Sequence, residues 1–165
     1  MPRWVNWVLP LAMLASYALL VLVLMPRLVA EAGGAMPFDL RVFGYSRADA
    51  HAYLQALSPA GARLYLGPVR LADTLFPILL SLTLCLPLYR WRAWWALPAL
   101  AYGISDLAEN WAVARLVRTG PAVDSGSVVL ASALTEAKFA LVAVALMLAA
   151  AALVSLALAR RRRGR

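Results

Sequence analysis

The sequence contains few of the residues that form disulfides, metal sites and charged soluble surfaces. Of its 165 residues, one is cysteine, one is histidine and 15% are charged, whereas 64% are hydrophobic. The single cysteine, Cys85, excludes an intramolecular disulfide framework, and His51 has no cysteine near it at a metal-ligand spacing. A soluble domain carries about 25% charged residues. The composition therefore argues against a soluble enzyme and against a disordered chain.

The hydrophobic residues collect in four long runs, 5–25, 71–89, 93–117 and 128–159. A helix needs about 20 mostly apolar residues to cross a bilayer, so each run is long enough for a span, and the fourth must tilt or project. We therefore predict an all-α polytopic integral membrane protein, with a four-helix transmembrane bundle that forms one domain over residues 1–165. A cleaved signal peptide over Met1–Ala32 is the alternative for the first run, but its apolar stretch exceeds the usual length of about 7 to 15 residues.

The arginines near the ends of these runs predict the orientation. With four spans, both termini and residues 90–92 lie on one side, which holds eight of the sixteen basic residues and none of the eight acidic ones. Cytoplasmic segments are enriched in arginine, and tryptophans gather at membrane interfaces. We predict that this side is cytoplasmic. It contains Arg3, Arg90, Arg92, Arg160, Arg161, Arg162, Arg163 and Arg165, with the belt Trp4, Trp7, Trp91, Trp94 and Trp95.

This distribution explains the basic net charge of +8 without nucleic acid. The predicted partner is the lipid bilayer, with a lipid-like ligand, a second copy of the chain or another membrane protein as further possibilities. Fifteen arginines against one lysine, together with abundant alanine, are typical of a GC-rich bacterial genome. We therefore predict a multi-pass protein of the bacterial inner membrane.

The loop 26–70 is the only segment between spans that is long enough to fold. Ser46 and Asp49 have the spacing of a capping box, and an apolar stripe follows at 50, 53, 54 and 57. Ser58 and Pro59 begin a second helix to about Leu66, which Gly67 and Pro68 are expected to end. We predict a short helical extracytoplasmic lid between spans 1 and 2, serving as a packing element or as a gate. The stretch 37–41, Pro-Phe-Asp-Leu-Arg, is unusual for a linker, but suggests no mechanism.

Ionisable residues inside the third and fourth spans are the clearest functional signal. A charged side chain at the centre of a membrane helix costs about 2.5–3.5 kcal/mol, so such residues face one another or a wet cavity. Helical spacing predicts one polar chamber in the outer half of the bilayer, with more acids than Lys138 can neutralise, so that an acid is protonated or paired with Arg41 or Arg70. The predicted catalytic residues are Asp106, Glu109 and Lys138, and the predicted binding or orienting residues are Asp73, Tyr102, Asn110, Thr135 and Glu136.

Three functions fit this chamber. The first is an isomerase or hydrolase for a lipid-phase substrate, with Asp106 and Glu109 as an acid/base pair and Lys138 holding the ionised partner. The alternatives are an accessory or assembly subunit of a membrane complex, in which the polar network is structural, and a proton-coupled transporter. The sequence has no nucleophile elbow, phosphate loop or paired-histidine motif, so we predict no cofactor and no metal. In size and number of spans the chain is similar to the small four-helix sterol-isomerase and sigma-2 type membrane proteins, a similarity at the level of fold.

Overall fold

A computed structural model describes residues 5–163 of the chain, with the side chains of 7–155 and of Leu158. Over these residues the chain is helical and contains no strand, which confirms the predicted all-α class. Arg3 and Trp4, and the side chains of the basic tail 160–165, which enter the predicted orientation, lie outside this description.

The described chain forms five helices, and three of their four connections contain a short 3-10 turn. Helix α1 runs without a break through Val5–Ala18, Leu19–Leu24 and Met25–Glu31, and α3 runs through Pro59–Leu64, Tyr65–Val69 and Arg70–Trp91. The turns are Phe38–Leu40, Ala93–Ala96 and Gly120–Ala122. The remaining helices are α2, Arg47–Ala56; α4, Leu97–Thr119; and α5, Ser125–Arg163.

Three of these helices are long and apolar enough to cross a membrane: α1 over Trp7–Glu31, α3 over Pro59–Trp91 and α5 over Ser125–Ser155. Helix α4, which contains most of the predicted third span, is not among them, because Asp106, Glu109 and Asn110 lower its hydropathy. Helix α5 has 39 residues and is about 58 Å long, well beyond the roughly 30 Å of a hydrocarbon core. The chain is thus apolar enough for a membrane protein, and its fourth span stays a prediction.

Two prolines that were expected to end helices lie within continuous helices. Pro26 does not end α1, and Gly67-Pro68 does not end the helix that begins at Pro59. A proline inside a helix lacks the N–H for the carbonyl four residues earlier, and its ring crowds that carbonyl. Leu19–Leu24 and Tyr65–Val69 are π-helical, and this wider turn carries the helix past each proline. The second predicted lid helix is therefore the first part of α3.

Helix α3 packs against each of the other long helices. Helix α1 packs on α3, α3 on α4, and α4 on α5, which also touches α3, whereas α1 and α5 share no extensive contact. One apolar cluster, centred on Phe38, Tyr53 and Tyr65, fills the end that carries the loop. A smaller one, around Leu88 and Ala152, fills the tryptophan-rich end. The polar residues lie between the two clusters.

Helix α2 forms as its sequence predicts. The Asp49 amide donates to Ser46 Oγ at 3.2 Å, and the Ser46 amide donates to Asp49 Oδ2 at 2.9 Å, which completes the capping box. The hydrogen bonds from Ser46 hold the pKa of the Asp49 carboxyl below its usual value. Ala50, Tyr53 and Leu54 are buried against the loop end of the bundle. The apolar stripe of α2 thus positions the loop 32–46 over the polar residues.

Candidate functional site

An ion pair between α4 and α5 forms the centre of the polar cluster. Lys138 Nζ donates a hydrogen bond to Glu109 and lies 3.7 Å from Asp106 Oδ1. Thr135 donates from Oγ1 to Glu109 Oε1 at 2.5 Å. Glu109 and Thr135 are fully buried, and Lys138 is 6% exposed. The structure therefore brings the three predicted catalytic residues, Asp106, Glu109 and Lys138, together.

Asn110 has a structural contact rather than an open polar face. Its Nδ2 donates to the backbone carbonyl of Asp73 at 2.7 Å, and both residues are buried. In a regular helix this carbonyl would accept from residue 77, but Pro77 has no N–H to donate. The amide of Asn110 supplies the missing donor and ties α4 to α3. This contact places the Asp73 carboxyl beside the cluster.

Asp39 also belongs to the site, although the sequence did not suggest it as a site residue. It lies in the turn Phe38–Leu40 and is 5% exposed, and its Oδ1 accepts a hydrogen bond from the Tyr65 hydroxyl at 3.2 Å. Burial raises the pKa of the Asp39 carboxyl, and the positive charge of Lys138 opposes this shift. The signal that was available is the unusual stretch 37–41, which turns an acid inward from a loop.

Glu136, predicted to line the chamber, lies outside it. Its side chain is exposed on α5, on the side covered by the loop near Gly44. Residue 136 is turned by about 100° from Thr135 and about 200° from Lys138 around the helix, so all three cannot face inward. Gly44 has a φ of +73°, and a Cβ there would collide with Glu136 Oε1. The Tyr45 amide donates to Ser132 Oγ at 2.9 Å, which holds the loop on α5.

The arginines expected to neutralise surplus acid do not do so. Arg41 donates from Nη2 and Nε to the Met36 carbonyl at 2.9 and 3.1 Å, and its guanidinium lies 5.7 Å from the ring centre of Phe38. Among the described residues, Lys138 is the only cation within 4 Å of a carboxylate oxygen. The described cluster thus contains one lysine and four buried acids, of which the lysine contacts two. The four acids are Asp39, Asp73, Asp106 and Glu109.

A cavity of about 240 Å³ lies against this cluster, between α1, α3 and α5. Its polar lining comes from Asp39, Asp73, Tyr102, Asp106 and Lys138, and the rest of its wall is apolar. Tyr17 and Val21 of α1 form one side, and Phe139 and Val142 of α5 form the other. Because α1 and α5 make no extensive contact, the cavity lies at the open seam between them.

The cavity separates the predicted site residues into two groups. Asp73, Tyr102, Asp106 and Lys138 line it, whereas the other four predicted residues do not. Glu109 lies behind Lys138. Asp39 Oδ2, Asp73 Oδ2 and Asp106 Oδ1 are buried without a hydrogen-bond donor. Buried polar atoms are almost always satisfied in native proteins, so these oxygens can each accept a further hydrogen bond; Asp106 Oδ1 is also 3.7 Å from Lys138 Nζ.

Toward the tryptophan-rich end, the polar side chains of α3 bond to the backbone. Ser81 donates to the Ala99 carbonyl at 2.7 Å, and Thr83 donates to the Leu79 carbonyl at 2.6 Å. Neither hydroxyl proton is left to continue a hydrogen-bonded path from the acid cluster. Among the described residues, this arrangement favours a polar cluster confined to one part of the bundle over a polar route through it.

Comparison of the chain with protein families, with curated proteins and with solved structures finds no match. Within the described residues, no three histidine, cysteine, aspartate or glutamate side chains form a candidate metal site.

Proposed function

We propose that α1, α3, α4 and α5 are the four spans of a bacterial inner-membrane protein whose termini lie in the cytoplasm. The polar face of α4 is turned inward, with Asp106, Glu109 and Asn110 all buried, which makes a charged helix tolerable in lipid. Asp73 lies seventeen residues before Arg90 on α3, or about 25 Å along the helix. The acid cluster is then in the outer half of the bilayer, under a lid formed by the loop and α2.

We infer that the cavity binds a lipid-phase molecule whose polar end donates hydrogen bonds to the carboxyls. The observation that carries this inference is the set of three buried oxygens, on Asp39, Asp73 and Asp106, that accept no hydrogen bond and belong to residues lining a mainly apolar cavity. Within the part of the chain that the structure describes, only that of Asp106 has a cation nearby, Lys138 Nζ at 3.7 Å. Ligand sites combine apolar walls with a few convergent polar groups. An apolar ligand reaches this cavity from the bilayer, through the seam between α1 and α5.

The chemistry that fits best is cofactor-independent acid–base catalysis, as in an isomerase or hydrolase. Neighbouring carboxyls that share one site cannot all ionise, so one keeps its proton and acts as the donor while another accepts. Asp73 and Asp106 are the candidates for this pair, because both line the cavity, whereas Glu109 is engaged by Lys138 and Thr135. Lys138, held by Glu109, stabilises negative charge that develops on the substrate.

Exchange with labelled water tests this proposal even while the substrate is unidentified. Purified protein in nanodiscs is incubated with a bacterial total lipid extract in water enriched in deuterium and heavy oxygen, and the lipids are analysed by mass spectrometry. Isomerisation by proton transfer places deuterium on carbon, and hydrolysis places heavy oxygen in the product. General acid–base groups contribute about 100-fold or more, so Asp106→Asn and Asp73→Asn should each slow labelling by at least that factor.

Glu136→Gln is the matched control, because it removes an acid outside the cavity and should leave labelling unchanged. Equal labelling by wild type and Asp106→Asn would contradict the catalytic proposal. If lipid also co-purified equally with wild type, Asp73→Asn and Asp106→Asn, the binding proposal would fail too, and the accessory role would become the better explanation.

A further inference from the structure

A second cavity lies at the tryptophan-rich end of the molecule, between α3 and α5. Its volume is about 480 Å³, which is in the range of about 300–1,000 Å³ typical of ligand pockets. Leu84, Pro87, Ala152 and Leu153 contribute to its apolar walls. Pro87 and Leu153 are exposed, so the cavity is a groove open to the surface that faces lipid in the proposed membrane orientation.

The groove has one charged residue, Arg90, which lies at its tryptophan-rich end beside Trp91. Arg90 is exposed and has no carboxylate within 4 Å among the described residues. The nearest acids along the two helices are Asp73 and Glu136, each about 24–26 Å from the groove residues Arg90 and Ala152 by helical rise. Its positive charge is therefore available to an anion from outside the described residues.

We propose that this groove binds an anionic phospholipid from the leaflet at the Arg90 end. The guanidinium of Arg90 binds the phosphate, to which its forked geometry is matched, and one acyl chain lies along Leu84 and Ala152. The Trp91 ring, stacked on Trp95 at 5.4 Å between ring centres, lies beside the headgroup, where tryptophan is enriched. None of these residues belongs to the acid cluster, so this site does not rest on the proposed catalytic function.

Native mass spectrometry of the full chain in detergent, with phosphatidylglycerol and phosphatidylcholine of identical acyl chains, tests this site. Wild type should bind phosphatidylglycerol more tightly. Arg90→Gln should weaken phosphatidylglycerol binding about five-fold, the loss expected for one interfacial arginine. It should weaken phosphatidylcholine binding by a smaller factor, because the choline cation of that lipid already offsets its phosphate charge. Arg118→Gln, at the opposite end of the bundle, is the matched control and should change neither. Ala152→Phe fills the groove and should weaken both lipids.

Equal affinity of wild type for the two lipids, or equal effects of Arg90→Gln and Arg118→Gln, would overturn the proposal. Glycerol 3-phosphate is included as a phosphate without acyl chains. If it bound as tightly as phosphatidylglycerol, the site would be an anion site and not a lipid groove. Circular dichroism checks the fold of Ala152→Phe. If this variant unfolds, Ala149→Leu replaces it, and unchanged affinity for both lipids in the folded variant would exclude an acyl chain from the groove.

Discussion

At the scale of single residues, the distinctive feature is one lysine among several buried acids. Lys138 contacts Glu109 and Asp106, while Asp39 and Asp73 keep oxygens without donors. Removing one member of a buried ion pair is strongly destabilising, because its partner remains as an uncompensated charge in a low dielectric. The Lys138–Glu109 pair is thus the fixed part of the cluster, and the unpaired oxygens are the part available to a ligand.

Lys138→Met should lower the free energy of unfolding by about 3–5 kcal/mol, because Glu109 then lacks its cation. Glu109→Gln should be destabilising for the reciprocal reason, and the double variant should recover much of the loss. Equilibrium unfolding in detergent measures each value. Glu136→Gln, on the exposed side of α5, is the control and should change stability by less than about 0.5 kcal/mol. Strictly additive losses in the double variant would mean that the two side chains are not coupled.

Asp39 should make stability fall as pH rises. The pKa of its carboxyl is raised in the folded protein above the ordinary value of 3.8, so between these two pKa values the folded state holds a proton that the unfolded state has released. The stability contributed by protonated Asp39 is then fully present below about pH 4 and is lost as pH rises through the pKa of the folded state. Asp39→Asn should flatten this part of the profile of unfolding midpoint against pH.

Asp124→Asn provides a contrast of opposite sign in the same measurement. Hydrogen bonds from Ser127 lower the pKa of the Asp124 carboxyl, whose Oδ1 accepts from the Ser127 amide at 2.8 Å. The stability that this carboxylate contributes is present above its ordinary pKa and is lost as pH falls through the lower, folded value. An Asp39→Asn profile parallel to that of wild type would show that Asp39 is not protonated on burial.

At the scale of helices, proline determines where backbone bonds must be replaced. Pro26 follows one π-helical segment and Pro68 lies within another, and these segments carry α1 and α3 past the two prolines. At Pro77 the α-helix continues, and the Asn110 side chain bonds the carbonyl of Asp73 that Pro77 leaves without its usual donor. A polar residue on α4 thereby repairs α3, so Asn110 stabilises the contact between the two helices.

Asn110→Leu should lower the free energy of unfolding by about 1–3 kcal/mol, because it leaves the Asp73 carbonyl buried without a donor. Pro77→Ala in the Asn110→Leu background restores the backbone N–H and should recover part of this loss, measured by the same unfolding titration. Pro87→Ala, which restores an N–H elsewhere on α3, is the matched control. It should change the free energy of unfolding by the same amount in the Asn110→Leu background as in wild type. Equal recovery from the two alanines would argue against this explanation for Asn110.

At the scale of the whole molecule, the two ends differ in chemistry. The acids lie in the middle of the bundle and at the end that carries the loop, and the opposite end carries Arg90, Arg92 and stacked tryptophans. The orientation proposed above, in which these arginines face the cytoplasm, rests on this polarity. It also places the two cavities about one bilayer leaflet apart along α3, one beside acids and one beside an arginine.

Labelling from each side of the membrane tests this orientation. In a Cys85→Ala background, His51→Cys on the exposed side of α2 should react with an impermeant maleimide added to intact cells. Arg92→Cys should react only after the cells are opened. The His51 position is chosen because its substitution leaves the Ser46–Asp49 capping box intact. Labelling of both cysteines from the same side would exclude the four-span topology.

The sequence alone determined the helical class, the capping box of α2 and which inward faces of α4 and α5 would meet, because all three follow from local spacing and from the cost of charge in lipid. The tertiary structure alone decided that Asp39 joins the cluster and that Glu136 leaves it. A loop residue has no periodic pattern from which its direction can be predicted. Thr135, Glu136 and Lys138 lie within one turn of α5 and point in different directions around it, so they cannot all face inward. The continuity of α1 and α3 past proline likewise depends on packing against neighbouring helices, which no local rule contains.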